Sequence, residues 1–286
     1  MTAVHLNGNY SAEDILSLEG LTGGKFSFTS GKLAGPVRCH VLVAGRVTED
    51  QLAMCQGLRL VVVPYAGIPE TTRRALEGHP EIRLESIHHN AVSASEMAVA
   101  LMLAAAKLLI PSDTALRRND WSPRYRPEGL LVEDSRVTVL GFGAIGSRVG
   151  RICRAMGASV RGISKTRREG LYTPDDLHSL LPETDILVVC VPLTSETEGM
   201  IGFRELSLLP RGSVLVNVAR GPVVDEQALY ESLRSGHLAG AGIDVWYSYP
   251  DREGKKTDTP PSRFDFASLP NVVMSPTGEG PSDFRK

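Results

Sequence analysis

The chain has 286 residues, 42% of them hydrophobic, and a net charge of −2 at pH 7. That length supports two domains with cores of their own, and the composition is that of a soluble globular protein. The near-neutral charge excludes nucleic acid or a membrane surface as the main partner, and the longest apolar run, residues 98–110, is interrupted by Lys107 before it could span a bilayer.

In chain order, the first residues lack the basic-then-apolar pattern of a signal peptide. Cys39, Cys55, Cys153 and Cys190 show no metal or redox spacing, so a reduced, cytoplasmic protein without a metal is expected. "HVLVAG" (40–45) and "LRLVVVPYAG" (58–67) are short apolar runs closed by glycine, the pattern of buried parallel strands. A long helix is expected from Ser93, as its N-cap, to Ile110, with Pro111 stopping it. "NDWSPRYRPEG" (119–129) is a loop and a candidate linker between domains.

From Val132 a strand–helix rhythm sets in. Strands are expected in "RVTVLGFG", "SVRGIS", "DILVVCVP", "GSVLVNVAR", "AGAGIDVW" and "NVVMSP", with helices over 145–157 and 225–236. Such alternation builds a doubly wound α/β sheet of Rossmann type.

Gly141, Gly143 and Gly146 spell G-x-G-x-x-G between a strand and a helix. The first glycine makes the turn, the second lets backbone approach a pyrophosphate, and the third lets helix pack on strand. The helix start, with Ala144 and Ile145, then offers free N–H groups to the phosphates of a dinucleotide. At the end of the next strand an NAD site wants an acid for the ribose 2′-hydroxyl. This chain has Ser164, Lys165, Thr166, Arg167 and Arg168 instead. Hydroxyls and cations there favour NADP(H), with NAD still open; the alternative is a solvated basic loop.

The stretches "GFGAIGSRVGRICRAMG", "DILVVCVPLTSETEGMI", "LLPRGSVLVNVARGPVVDEQAL" and "HLAGAGIDVW" resemble the D-isomer-specific 2-hydroxyacid dehydrogenases, glyoxylate and hydroxypyruvate reductases among them. "PYAGI" and "NAVSASEMAVALMLAAAK" resemble that family's carboxylate-binding loop and interdomain helix, so the likeness covers most of the chain. The resemblance implies a flavodoxin-like substrate domain over residues 1–107 and an NAD(P)-binding Rossmann domain over 108–276. It also implies hydride transfer between the cofactor and a 2-hydroxy or 2-keto acid, and a homodimer through the Rossmann domain. By the same resemblance, Arg220 polarises the substrate carbonyl and pairs with its carboxylate. Ala66, Gly67 and Ile68 offer backbone N–H groups to that carboxylate, and Val191, Pro192, Thr197, Val218 and Asp244 line the cofactor cleft.

Two residues depart from the pattern. Tyr249 stands where the family has a glutamate, and Thr277 where it has the catalytic histidine. A threonine hydroxyl has no useful proton affinity near neutral pH, so an impaired enzyme is expected. Residues 277–286 are expected to be an aberrant or truncated tail in place of the family's return to the substrate domain, which leaves that domain without its C-terminal segment. Loss of one base near Pro276 accounts for both, because the shifted frame permits Pro-His-Arg-Gly-Gly; a naturally shortened relative is the competing reading. From a different class, a non-catalytic NAD(P)-binding sensor or scaffold remains open. His88 and His89 near the expected cleft, and Arg124 and Arg126 in the loop, are weaker candidates, better explained as surface groups.

Overall fold

The computed structural model describes residues 1–65, 67–87, 90–125, 129–250 and 257–276. Contacts divide the chain into two compact units, Met1–Asn90 and Ala91–Lys286.

The first unit contains strands β1 (Thr2–Leu6), β2 (Phe26–Ser30), β3 (Val37–Arg38), β4 (Val41–Val43), β5 (Cys55–Gln56), β6 (Leu60–Val63) and β7 (Arg83–Ser86). Its helices are α1 (Ala12–Leu21), α2 (Glu49–Met54) and α3 (Glu70–Leu76). Reciprocal caps, Ser11 with Asp14 and Thr48 with Gln51, start α1 and α2. The main sheet runs β2-β1-β4-β6-β7, parallel throughout, while β3 and β5 pair separately. Taken in sequence order within that sheet, the strands have the 2-1-3-4-5 arrangement of flavodoxin-like folds. Leu42, Ala44, Val47, Leu52, Val61 and Ala75 form its core.

The second unit contains β8 (Arg136–Leu140), β9 (Ser159–Ile163), β10 (Ile186–Val189), β11 (Ser213–Asn217), β12 (Leu238–Ile243) and β13 (Val272–Met274). Its helices are α4 (Ala91–Ala106), α5 (Leu109–Leu116), α6 (Ala144–Ala155), α7 (Leu177–Leu180), α8 (Phe203–Leu208) and α9 (Glu226–Arg234). The sheet is parallel in the order β13-β12-β11-β10-β8-β9. Alternate residues feed opposite faces, as the period of a strand requires. Leu187, Val189, Leu215 and Ile243 join one core with Leu177, Leu206 and Leu229, whereas Ile186, Val188, Val214 and Val216 join another with Met102, Val149 and Cys153. Both faces are therefore covered by helices, the condition under which an all-parallel sheet is stable.

Three expectations need correction. The helix expected from Ser93 to Ile110 is two helices, broken at Lys107 and Leu108, with a bend of 64°. Leu108 takes a left-handed backbone, φ 52°. Pro111 does not stop a helix but sits in the first turn of α5, where an absent N–H removes no intrahelical bond. The unit boundary lies between Asn90 and Ala91, not after Lys107, because Ala98, Leu101, Met102, Ala105 and Ala106 of α4 pack into the second unit's core. The stretch 119–129 is not a linker between the units: its described residues, 119–125 and 129, belong to the second, where Gly129 abuts the carbonyl of Ala106. Among the described residues no single helix is long and apolar enough to cross a membrane.

Glycine on β12 lets α4 lie close. A Cβ on Gly242 would stand 2.7 Å from Leu101 Cβ. This close approach fixes β12, and with it the residues that leave its carboxyl end.

Candidate cofactor and catalytic site

β8 and β10 are neighbours, with β9 on the outer side of β8, so the connections leave in opposite directions between them. Ligand crevices of open α/β sheets form at this switch point. The glycine motif lies in it. Gly141 has φ +98°, and a Cβ on it would meet the main chain of Cys190 at 2.7 Å. A Cβ on Gly146 would collide with the Gly141 carbonyl, whereas one on Gly143 meets nothing within 4 Å. Gly143 caps α6 without a side-chain bond, and the first amide bonded back into the helix is that of Ser147, to Gly143 O at 3.0 Å. The first-turn N–H groups of Ala144, Ile145 and Gly146 thus have no partner within the helix, and the helix starts at the exposed Gly143 and Ala144. This cradle fits the pyrophosphate of a dinucleotide. A groove of about 540 Å³ continues from it, lined by Phe142, Gly143, Ala144, Ser147, Arg168, Glu169 and Leu171.

The basic run beyond β9 is less uniform than its sequence. The Ser164 amide donates to Tyr172 O at 2.9 Å. Lys165 Nζ is paired with Glu196 Oε2 at 2.5 Å. Arg167 lies near Asp176, whose carboxyl is held below the usual range chiefly by the Thr173 amide and hydroxyl, with a smaller contribution from Arg167. Thr166 is exposed. Arg168 is the cation of this run that lines the groove.

Beyond β10, Thr197 Oγ1 donates to Pro192 O at 2.6 Å and accepts from Thr194 N–H at 2.8 Å, so it closes the turn after Val191 and Pro192. Val218, 8% exposed, follows β11. Asn217 shapes the next turn: its Oδ1 accepts from Ala219 N–H at 3.0 Å, and its Nδ2 donates to Arg220 O at 3.1 Å. The Arg220 side chain is exposed and donates to Ala219 O at 2.7 Å; no carboxylate among the described residues pairs with it. Gly221 abuts the Trp246 carbonyl, which excludes any side chain there. Asp244, buried at the end of β12, donates its amide to Asn217 O at 3.0 Å and so joins the two turns.

Tyr249, at the position of the expected acid, accepts at its hydroxyl from Trp246 N–H at 2.8 Å. Trp246 Nε1 donates to Ser275 O at 2.8 Å and anchors the segment after β13. Burial, with the charges of Glu226 and Asp225, pushes the neighbouring Tyr247 hydroxyl well above the usual phenol range, and it donates to Val224 O at 2.9 Å.

In the first unit Gly67 has φ +86° and is followed by Ile68; nearby, Tyr65 donates its hydroxyl to Gly45 O at 2.8 Å. Arg124 is exposed in a short 3₁₀ turn, Ser122–Tyr125. Ala66, His88, His89, Arg126 and Thr277, with the tail after it, lie outside the described residues.

Residues 99–277 match the family described as "D-isomer specific 2-hydroxyacid dehydrogenase, NAD binding domain". The chain is 30% identical over 239 residues to a glycerate dehydrogenase from Methylorubrum extorquens, covering 79% of this chain and 71% of the relative. It is 35% identical over 195 residues, 64% of its length, to a glyoxylate reductase from Thermococcus gammatolerans, and spans only 55% of that relative. A solved D-isomer specific 2-hydroxyacid dehydrogenase from Xanthobacter autotrophicus, in complex with NADPH and MES, superposes with a TM-score of 0.76 at 26% identity, covering 96% of this chain and 87% of that one. The family match takes in the glycine cradle and every strand of the second unit's sheet, and on that extent this chain belongs to the D-isomer specific 2-hydroxyacid dehydrogenases.

Proposed function

We propose that the chain transfers hydride between NADP(H) and a small 2-hydroxy or 2-keto acid, slowly with Thr277 in place. The observation that carries this reading is the open glycine cradle and Arg220 at the carboxyl edge of one parallel sheet. When bound, NADP(H) supplies the hydride chemistry. The first-turn amides of α6 meet pyrophosphate charge. The run from Ser164 to Arg168 favours a 2′-phosphate over a bare ribose, with NAD(H) as the weaker ligand. Val191, Pro192, Thr197, Val218 and Asp244 border the nicotinamide. Arg220 polarises the substrate carbonyl with a planar fork of donors.

A second reading, a nucleotide-binding protein without turnover, is favoured by two residues. Thr277 and Tyr249 stand where the family has its histidine and glutamate, so the chain has neither an imidazole nor a carboxylate at those positions to take up and pass on a proton. Fluorescence titration with NADPH and NADH, followed by assay on glyoxylate and hydroxypyruvate, separates the cases. NADPH binding with slow turnover is expected. Tight NADPH binding with no turnover selects the second reading. Equal or stronger NADH binding removes the NADP(H) preference, and no binding of either cofactor removes both readings.

The second unit also exposes Leu109, Ile110, Leu116, Trp121 and Leu131. Such apolar exposure supports a homodimer through this unit. Sedimentation should give twice the chain mass; a monomer throughout the micromolar range would remove the dimer.

A further inference from the structure

The acid that an NAD site takes from the end of its second strand is absent after β9, yet a carboxylate stands there all the same. Glu196, from the loop after β10, reaches Lys165 Nζ at 2.5 Å, two positions beyond the end of β9. The two residues are 31 positions apart. Both side chains are largely in solvent, 80% exposed for Lys165 and 65% for Glu196. Lys165 draws the Glu196 carboxyl below its usual range, so the carboxylate is ionised at neutral pH.

We propose that Glu196 is a specificity-determining residue that narrows the chain's preference for NADPH over NADH. This rests on the reading of the second unit as a dinucleotide site. Glu196 acts in two ways. It occupies the first cation of the basic run, and it brings a negative charge to the place where a 2′-phosphate needs positive charge. A carboxylate also accepts hydrogen bonds from a ribose diol, which favours the cofactor without the phosphate. Arg168, which lines the groove and has no carboxylate partner among the described residues, is left as the principal phosphate cation. An exposed ion pair costs little to open, so both cofactors are admitted and the selection is one of degree.

Glu196 can be changed without collapse of its loop, because that turn is held by Thr197, Thr194 and Pro192 instead. The test is the ratio of dissociation constants for NADPH and NADH, by fluorescence titration on the whole chain. Glu196→Gln should raise the preference for NADPH about five-fold, the effect of one unit charge at roughly 4 Å in water. NADPH should tighten while NADH stays level or weakens. In a Lys165→Ala background the gain in NADPH affinity should be smaller but not absent, since the cation that the substitution releases is gone while the negative charge it removes still counts. Glu169→Gln, which alters the carboxylate that lines the groove but has no ion pair with Lys165, should move the ratio less. Binding of both cofactors with an unchanged ratio in Glu196→Gln overturns the inference alone. So does a ratio governed by Glu169. Failure of the unaltered chain to bind either cofactor overturns the dinucleotide reading and this inference with it.

Discussion

Asn217 is 1% exposed and commits both ends of its amide to the turn after β11, one to Ala219 N–H and the other to Arg220 O. The guanidinium is thus aimed by a neighbour's side chain and by the close fit of Gly221 under Trp246. Asn217→Asp keeps an acceptor but sets a carboxylate against the Arg220 carbonyl. Chemical denaturation should show a loss of about 1–3 kcal/mol, with weaker binding of oxalate as a substrate mimic. Arg220→Lys keeps the charge but loses the planar fork. It should lower kcat/KM for hydroxypyruvate by about 10²–10³-fold while NADPH affinity holds. With threonine at 277, no imidazole at that position titrates, so the rate should be flat from about pH 5.5 to about pH 8. A limb near pH 6.5 would bring in another histidine, with His88 and His89 the first to test.

At the scale of elements, α4 and β12 approach through glycine. Gly242→Ala forces a Cβ to within 2.7 Å of Leu101 Cβ, with the Leu101 main chain 3.0 Å away, so side-chain adjustment alone cannot relieve it. Thermal unfolding should reveal a loss of about 1–3 kcal/mol. At the amino ends of β8 and β10, Arg136 offers Nε, Nη2 and its own amide to Asp185 at 2.9, 3.0 and 2.8 Å. This pairing holds the Asp185 carboxyl below the usual range despite partial burial. A carboxyl whose native pKa is depressed adds stability above its unfolded value, about 3.9, and loses it as pH falls through the native one. Asp185→Asn should therefore be less stable than the parent at about pH 7, and the gap should close towards about pH 2. A gap that stays constant with pH would leave the pair no part in acid sensitivity.

Some of these elements were legible and some were not, for physical reasons. The G-x-G-x-x-G turn, α6 and the strands of the second unit are local patterns, each set by residues adjacent in sequence. The break at Lys107 and Leu108 is masked by apolar residues that continue across it, and Pro111 marks a helix start where it suggested a stop. The sequence showed the lysine of the basic run but could not show Glu196 on it, because ion pairs between separate loops leave no periodic trace.

Across the whole molecule, NADPH at 100 times its dissociation constant should add ~2.7 kcal/mol to the stability of the state that binds it. Hydrogen exchange should slow most at the start of α6 and in the segments 164–169 and 192–197. Protection spread evenly over both units would point to a different ligand site. The chain holds two tryptophans, and their surroundings are opposite: Trp121 is 60% exposed, while Trp246 is 4% exposed and tied to Ser275. Trp246 lies two positions beyond Asp244 and touches Gly221, next to Arg220. Its emission should be the bluer of the two. With Trp121→Phe, the remaining signal comes from the carboxyl ends of β12 and β13 alone. Reduced nicotinamide absorbs where buried indole emits, so quenching of that single emitter would give the chain a built-in optical gauge of cofactor seating, readable with no turnover at all.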